Sequence, residues 1–140
     1  MSGDAGYSGT PLVRKLGLEE GMTVRLEGAP PGYWDLLGGS PSTLGLTEVE
    51  GSTSPVDCVH LFASERDALA ARLRVARDVM AEDGMVWASW PKKSSGVESE
   101  VHRSDVMAAG KAEGLVDVKV CAVDETWSGL KFVIPVDERS

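Results

Sequence analysis

Two segments of the sequence carry the side chains best suited to holding a ligand. Residues 90–97 place a tryptophan before two lysines, two serines and a glycine, and residues 124–129 hold two acids, a tryptophan and a serine. Tryptophan offers a flat apolar face and lysine a point charge, so the composition suits a flat ligand that bears a carboxylate or a phosphate. The structural alternative is that Trp90 packs on Trp127 while the lysines pair with the neighbouring acids. Both interpretations stay open.

Neither segment belongs to an arrangement typical of catalysis. A serine nucleophile needs a histidine base that a carboxylate orients. His60 lies in a short apolar run, which favours a buried and hydrogen-bonded residue, and His102 precedes a predicted helix. Asp124 and Glu125 are adjacent, so in a strand they would point apart. We therefore expect no catalytic residue, and a binding protein is favoured over an enzyme.

Metal and thiol chemistry also lack support. Cys58 and Cys121 each lie among apolar residues, which favours small buried side chains over a disulfide or a reactive thiol. The chain has no C-x-x-C or H-x-x-x-H spacing, so it offers no tetrahedral ligand set. We expect no metal site.

Composition narrows the class of protein. The 140 residues include 14 basic and 22 acidic side chains, for a net charge of −8, which argues against nucleic acid as a partner. There is no basic amphipathic stretch, no run of about 18 apolar residues and no secretory signal within residues 1–20, so we expect no membrane association. The sequence predicts a soluble cytoplasmic protein with a flexible arm at 1–10 and one domain at 11–140.

Apolar runs between glycines and prolines alternate between strand and helix patterns. Predicted strands cover residues 22–27, 56–62, 85–90, 116–123 and 130–136; predicted helices cover 11–16, 33–37, a segment from Ser64 to near Gly84, and 104–113. Ser64 and Asp67 have the spacing of a capping box, and Gly84 suits a left-handed C-cap. Asp117 and Lys119 alternate with valines, which predicts a strand with its charged side in water. Residues 124–129 would form the last hairpin loop.

The order of these elements resembles the class I methyltransferase-like variant of the Rossmann fold. The resemblance rests on the G-L-x-x-G after the first helix, on the glycine-bearing run 24–32 that includes the first strand, and on the residues that lead into two later strands, 83–87 and 114–118. The resemblance implies an α/β single domain: a trimmed, mostly parallel Rossmann-like sheet with helices on both faces and a C-terminal antiparallel hairpin. The blocks 90–97 and 124–133 resemble a small bacterial family, domain of unknown function 3052, which brings no established activity.

The run that would hold adenosylmethionine departs from the methyltransferase pattern. Gly28 and Gly32 keep the outer glycine positions, but Pro30 takes the middle one and removes an amide. Leu26 stands where the acid belongs, and Glu27 is one residue late, which turns its side chain to the other face. We expect no cofactor; if adenosylmethionine does bind, Gly28 and Gly32 would contact it.

The segment that precedes the strand predicted at 56–62 is short. About six residues separate a possible strand at 44–49 from the one that begins at Val56, whereas a parallel crossover normally needs about a dozen. Either 44–49 is not a parallel strand, or a strand and its helices have been lost. Glu48 or Glu50 would be the acid that grips a ribose, unless both are solvated loop residues.

The resemblance brings three loops to the carboxyl edge of the sheet, where such folds bind ligands. The predicted ligand-binding residues are Tyr33, Trp34, Trp90, Lys92, Lys93, Ser94, Ser95, Asp124, Glu125, Trp127 and Ser128. We interpret the chain as a non-catalytic binding module for a small anionic or aromatic ligand or a protein partner. The alternatives are an adenosylmethionine-dependent transferase with a divergent loop, and an interaction protein that uses Trp34 and Trp127. The oligomeric state stays open.

Overall fold

A six-stranded sheet organises the chain in a computed structural model that describes residues 10–51 and 53–139. The strands are β1 (Thr23–Glu27), β2 (Thr47–Val49), β3 (Val56–Phe62), β4 (Met80–Pro91), β5 (Val116–Ala122) and β6 (Trp127–Val133). Their order across the sheet is β2-β1-β3-β4-β6-β5. Strands β1 to β4 run parallel, and β6 is antiparallel to β4 and β5. The mostly parallel α/β sheet with a terminal antiparallel hairpin is thus confirmed; the predicted arm falls, except for Thr10, outside the described residues.

Two long helices cover one face of the sheet, which we call the helix face. They are α3 (Arg66–Val79) and α4 (Arg103–Ala112). Buried side chains recur along α3 at Leu69, Leu73 and Ala76, the spacing that places residues on one side of a helix. They pack with alternate strand residues such as Val59 and Val86. In the described part of the chain, no helix is long and apolar enough to cross a membrane.

The opposite face, which we call the loop face, is covered by α1 (Leu12–Lys15), α2 (Tyr33–Leu36) and the irregular chain around them. Its core includes Val24, Cys58 and the fully buried Trp87. The Trp87 indole Nε1 donates a 2.8 Å hydrogen bond to the Leu16 carbonyl oxygen, which ties the end of α1 to the sheet. Helices on both faces are confirmed, although those of the loop face are four residues each.

The short connection before β3 is possible because β2 is itself short. β2 pairs in parallel with β1 over only three residues, and Val49 ends level with Arg25 in the middle of that strand. The chain therefore has little distance to descend before it starts β3 on the other side of β1. A parallel strand does lie within 44–49, and the usual long crossover is absent between β2 and β3.

The predicted start and end of the long central helix are wrong. Helix α3 begins at Arg66, and neither Ser64 nor Asp67 forms a capping box there; the Glu100 carboxylate accepts the Arg66 amide hydrogen bond instead. The helix ends at Val79, and β4 starts at once with Met80, so Gly84 lies inside a strand. A Cβ on Gly84 would lie 2.9 Å from the Asp57 carbonyl oxygen, so close backbone approach, not a helix cap, requires glycine there.

Two further predictions about the C-terminal strands need correction. Strand β6 starts at Trp127, so the loop is residues 123–126 and not 124–129. In β5 the valines are exposed as well as Lys119: Val118 is 52% exposed, whereas Asp117 is half-buried. A register shift between Asp117 and Lys119 in an edge strand breaks the simple alternation on which the prediction relied.

Candidate functional site

The carboxyl ends of β1 and β3 lie side by side at the sheet edge, and we call the position between them the crevice. The two strands are neighbours, yet the chain leaves β1 toward α2 on the loop face and leaves β3 toward α3 on the helix face. Such a reversal is the topological switch point at which open α/β sheets bind ligands. The side chains at these two strand ends therefore define the candidate site.

Arg72 of α3 reaches this crevice from the helix face. Its Nη1 donates a hydrogen bond to the carbonyl oxygen of Phe62, the last residue of β3. A Cβ on Gly28, directly after β1, would lie 2.6 Å from the same Nη1. Gly28 also has φ +71°, a backbone conformation that favours glycine. The half-buried guanidinium thus lies between the two strand ends, and no described carboxylate forms an ion pair with it.

Aromatic rings occupy the loop-face side of the same strand ends. The Phe62 ring stacks on the His60 imidazole, with ring centroids 4.3 Å apart, and meets the Trp127 ring edge-on at 5.1 Å. The Tyr33 ring contacts His60, Phe62 and Trp34, each in an edge-on arrangement. The crevice is therefore bordered by a cation on one side and by aromatic faces and edges on the other.

A buried chain of hydrogen bonds lies below these rings. The Tyr33 hydroxyl is 2.9 Å from His60 Nδ1, and the Ser89 hydroxyl is 2.8 Å from His60 Nε2. Burial lowers the pKa of His60 to about 3 and raises the pKa of Tyr33. The imidazole is therefore neutral, with one hydroxyl donating to the ring and the other accepting from it. The expectation of a buried, hydrogen-bonded His60 is confirmed.

This hydrogen-bonded chain contains the serine and histidine of a catalytic triad, but a tyrosine stands where the triad has a carboxylate, and the serine is not accessible. Ser89 is 1% exposed, and a Cβ on Gly129 of β6 would lie 2.9 Å from its hydroxyl oxygen. A substrate carbonyl could not approach an oxygen enclosed in this way, because a nucleophile must be within reach of the reacting atom. The Tyr33–His60–Ser89 chain joins α2, β3 and β4, and we assign it a structural role.

Glu48 lies near the end of β2, where the sequence suggested an acid for a ribose. Its Oε1 accepts a 3.0 Å hydrogen bond from the Trp34 indole Nε1. Both side chains belong to the outer part of the site, with Trp34 half-buried and Glu48 exposed. One carboxylate oxygen is thus already used by the protein.

The two loops with lysine and tryptophan are neighbours, joined by a 2.7 Å hydrogen bond from the Lys92 amide to the Thr126 carbonyl oxygen. Neither Lys92 nor Lys93 forms an ion pair with any described carboxylate, so the expected alternative pairing with Asp124 and Glu125 is absent. Trp90 is 7% exposed and packs on the helix face, whereas Trp127 packs on the loop face. The tryptophans therefore do not stack on each other.

Several polar residues of the predicted site stabilise the loops themselves. The Ser95 hydroxyl donates to the Lys92 carbonyl oxygen at 2.6 Å and accepts from the Val97 amide at 3.1 Å. Asp124 Oδ1 accepts the amides of Thr126 and Trp127, which shapes the hairpin loop. The remaining predicted polar residues differ in exposure: the half-buried one is Ser128, and the exposed ones are Ser94 and Glu125.

The loop after β1 does not fit adenosylmethionine in the way the methyltransferase pattern would hold it. Gly28 packs against the protein's own Arg72, and Gly32 (φ +81°) precedes α2. Glu27 accepts a 2.6 Å bond from Arg25 Nε on the face opposite to Leu26, so it does not replace the missing acid. Within residues 10–51 and 53–139, no group of three or more metal-ligating side chains occurs.

Sequence patterns did not identify Arg72 and Ser89 as residues near the site. Arg72 immediately precedes the buried Leu73 on α3, so its position beside the buried stripe was a usable signal. Ser89 is in the predicted strand one residue before Trp90 and gave no signal of its own. Only the pairing of Phe62 with Ser89 across β3 and β4 brings this serine near the site.

Comparisons with solved structures confirm the fold. The chain superposes on an adenosylmethionine-dependent methyltransferase from Aquifex aeolicus (TM-score 0.60, 15% identity, 86% of each chain). It also superposes on a TehB-like methyltransferase from Corynebacterium glutamicum (TM-score 0.58, 12% identity, 93% of this chain and 90% of that one). At these identities the likeness establishes the methyltransferase-like fold alone.

Residues 45–136 match the family described as Protein of unknown function (DUF3052), and the chain belongs to this family. A comparison with curated proteins finds no match. The family resemblance inferred from residues 90–97 and 124–133 is thus confirmed.

Proposed function

We propose that this protein is a non-catalytic binding module that holds a small ligand with an anionic group and a flat ring in the β1/β3 crevice. Arg72 is the observation that carries the proposal. Arg72 is half-buried at the switch point, and its guanidinium donates to the Phe62 carbonyl oxygen but pairs with no carboxylate within residues 10–51 and 53–139. A guanidinium has five N–H donors in one plane and binds carboxylate or phosphate with two parallel bonds.

The neighbouring side chains suit the rest of such a ligand. Trp34 and Trp127 are half-buried at the same edge and offer partly exposed ring surface to a flat group. Lys92 and Lys93 follow β4 and add two positive charges that no described acid neutralises. In a chain with net charge −8, these local cations would attract an anion that the molecule as a whole repels.

Calorimetric titration with adenosine monophosphate and with an aromatic carboxylate, 4-hydroxybenzoate, tests the proposal. We expect saturable binding of at least one probe, and Arg72→Gln should weaken it by about tenfold or more because a charge-assisted bidentate contact is lost. The matched control is Arg74→Gln on the same helix, since Arg74 is exposed and pairs with Glu113. Changing Lys92 and Lys93 to alanine should weaken binding less, without unfolding. The absence of binding, or equal affinity in the Arg72 variant, would contradict the proposal.

The alternative function is an adenosylmethionine-dependent transferase with a divergent loop. The fold likeness supports it, as does an acid at the end of β2. Adenosylhomocysteine is the appropriate probe, because it occupies the cofactor cleft without requiring turnover. Micromolar affinity, about −8 kcal/mol, would favour the transferase over the binding module. No heat on titration would count against it.

A protein-interaction role is the third candidate, with Trp34 and Trp127 as the anchors of an interface. Both rings retain some exposure, which is what such a role requires. Concentration-dependent sedimentation that Trp127→Ala abolishes would favour this role. Trp emission that iodide fails to quench would oppose it.

A further inference from the structure

A second charged feature lies away from the crevice, between α1 and the outer edge of β5. A groove of about 510 Å³ runs there, lined by Arg14 and Lys15 of α1 and by residues 119–122 of β5. We propose that this groove binds an extended acidic segment of a partner protein, which adds to the sheet as a strand beside β5. The proposal is independent of the function proposed for the crevice.

The first support is charge. Arg14, Lys15 and Lys119 are three cations in one groove, and none forms an ion pair with a carboxylate of the described residues. Lys119 Nζ donates to the Lys15 carbonyl oxygen at 3.2 Å, which holds the amine beside α1 without neutralising it. Such a concentration of positive charge in a chain of net charge −8 is complementary to an acidic partner.

The second support is the free edge of the sheet. Among the described residues β5 is the last strand of the sheet, and its only strand partner there is β6. The register shift between Asp117 and Lys119 disturbs the first half of this edge, which discourages pairing there. Residues 119–122 pair regularly with residues 131–128 of β6, so their outward backbone groups form an ordered template for an added strand.

Strand alternation then specifies the sequence pattern of the partner. Lys119 lies on the loop-face side of β5 with the cations of α1, whereas Val120 pairs with Leu130 of the helix face and is 40% exposed. An added strand has the same period of two. Its acids would lie beside Lys119 and Arg14, and the residues between them would lie beside Val120 and Ala122. The matching segment therefore alternates acidic and small apolar residues.

Fluorescence anisotropy with a labelled peptide of alternating Glu and Val tests this proposal on the full chain. We expect saturable binding that is at least about tenfold tighter than for a peptide of alternating Lys and Val. N-methylation of alternate peptide amides should abolish binding, because it removes backbone hydrogen bonds without changing charge. The double variant Arg14→Glu, Lys119→Glu should bind the Glu-Val peptide about tenfold or more weakly than the wild type does. The matched control, Arg103→Glu with Lys111→Glu on α4, should bind it normally.

Several results would overturn the proposal. Equal affinity for the acidic and basic peptides, or undiminished binding of the N-methylated one, would show that neither charge nor strand addition matters. A dimer in sedimentation velocity that the Arg14/Lys119 variant dissociates would assign the groove to a second copy of the chain. If that variant fails to fold by circular dichroism, Lys119→Gln replaces it, with an expected loss of about threefold.

Discussion

The two faces of the sheet are covered in different ways, and the candidate site follows the difference. On the helix face, α3 and α4 bring fourteen and ten residues whose buried positions recur at helical spacing. On the loop face, two four-residue helices and irregular chain pack apolar side chains such as Leu16 and Leu37 on the sheet, and single polar contacts such as Trp87 to Leu16 fix their position. The apolar packing of the helix face does not depend on any single contact, whereas the loop face also depends on individual hydrogen bonds. In proteins generally, binding residues are found disproportionately on such irregular segments.

The largest expected effect comes from breaking the polar chain of the loop face. His60→Ala removes a buried ring and leaves the Tyr33 and Ser89 hydroxyls without their partner, so the free energy of unfolding should fall by about 3–5 kcal/mol. Urea unfolding measures it. His60→Leu restores most of the apolar volume and isolates the polar part, with about 1–3 kcal/mol still lost. Wild-type stability in the leucine variant would show that the loop face, too, is held by packing alone.

The helix face should respond to volume instead. A Cβ on Gly110 of α4 would lie 2.2 Å from an atom of the Phe132 ring, so Gly110→Ala should lower the free energy of unfolding by about 1–3 kcal/mol despite the better helix propensity of alanine. The matched control is Ala108→Gly at an exposed position of the same helix, where the expected loss is about 1 kcal/mol from propensity alone. A stabilised Gly110 variant would mean that this face is more loosely packed than its burial indicates.

Sequence patterns predicted most elements of both faces within a residue or two, including the short loop-face helices at 11–16 and 33–37, but misplaced the ends of α3 on the helix face. The run 56–62 and the helix closed by Gly114 have the periodicity and glycine punctuation that short-range rules describe, and both were confirmed within a residue or two. The prediction at Gly84 was wrong because glycine is favoured both at helix C-caps and where two backbones come close together. Only the position of Asp57 on the neighbouring strand shows that the second reason applies here. Arg72 could not be placed in the crevice before β1 and β3 were known to be neighbours.

The loop face should also make stability depend on pH. His60 is neutral in the folded protein because burial lowers its pKa to about 3, whereas in the unfolded chain the pKa is about 6.5. Below about pH 6.5 the unfolded state therefore binds a proton that the folded state does not. As the pH is lowered, the free energy of unfolding decreases by up to about 1.4 kcal/mol per pH unit. Between pH 7 and 5 the wild type should lose about 2 kcal/mol more than His60→Gln. Parallel curves for the two proteins would contradict the assignment.

Asp105 of α4 provides the corresponding contrast on the helix side. The backbone amide of His102 donates to its carboxylate and holds the pKa of Asp105 below its usual value. A depressed carboxylate pKa contributes stability that is lost only as pH falls through the folded value, which lies below the window of the histidine experiment. The two titrations therefore separate by pH range. Urea unfolding should therefore give the same difference between wild type and His60→Gln over pH 7 to 5 when Asp105→Asn is present in both proteins.

The smallest expected effect on stability concerns Glu48, a residue at which a substitution should affect ligand binding more than folding. Its hydrogen bond from the Trp34 indole is exposed, so Glu48→Gln should change the free energy of unfolding by less than about 1 kcal/mol. If the second carboxylate oxygen accepts a hydrogen bond from a ribose hydroxyl, the same change should weaken the binding of adenosine monophosphate several-fold. The affinity for 4-hydroxybenzoate should not change. Equal loss for both probes would mean that Glu48 acts by orienting Trp34. In that case Trp34→Phe should reproduce the loss, because it removes the indole N–H and keeps an aromatic ring.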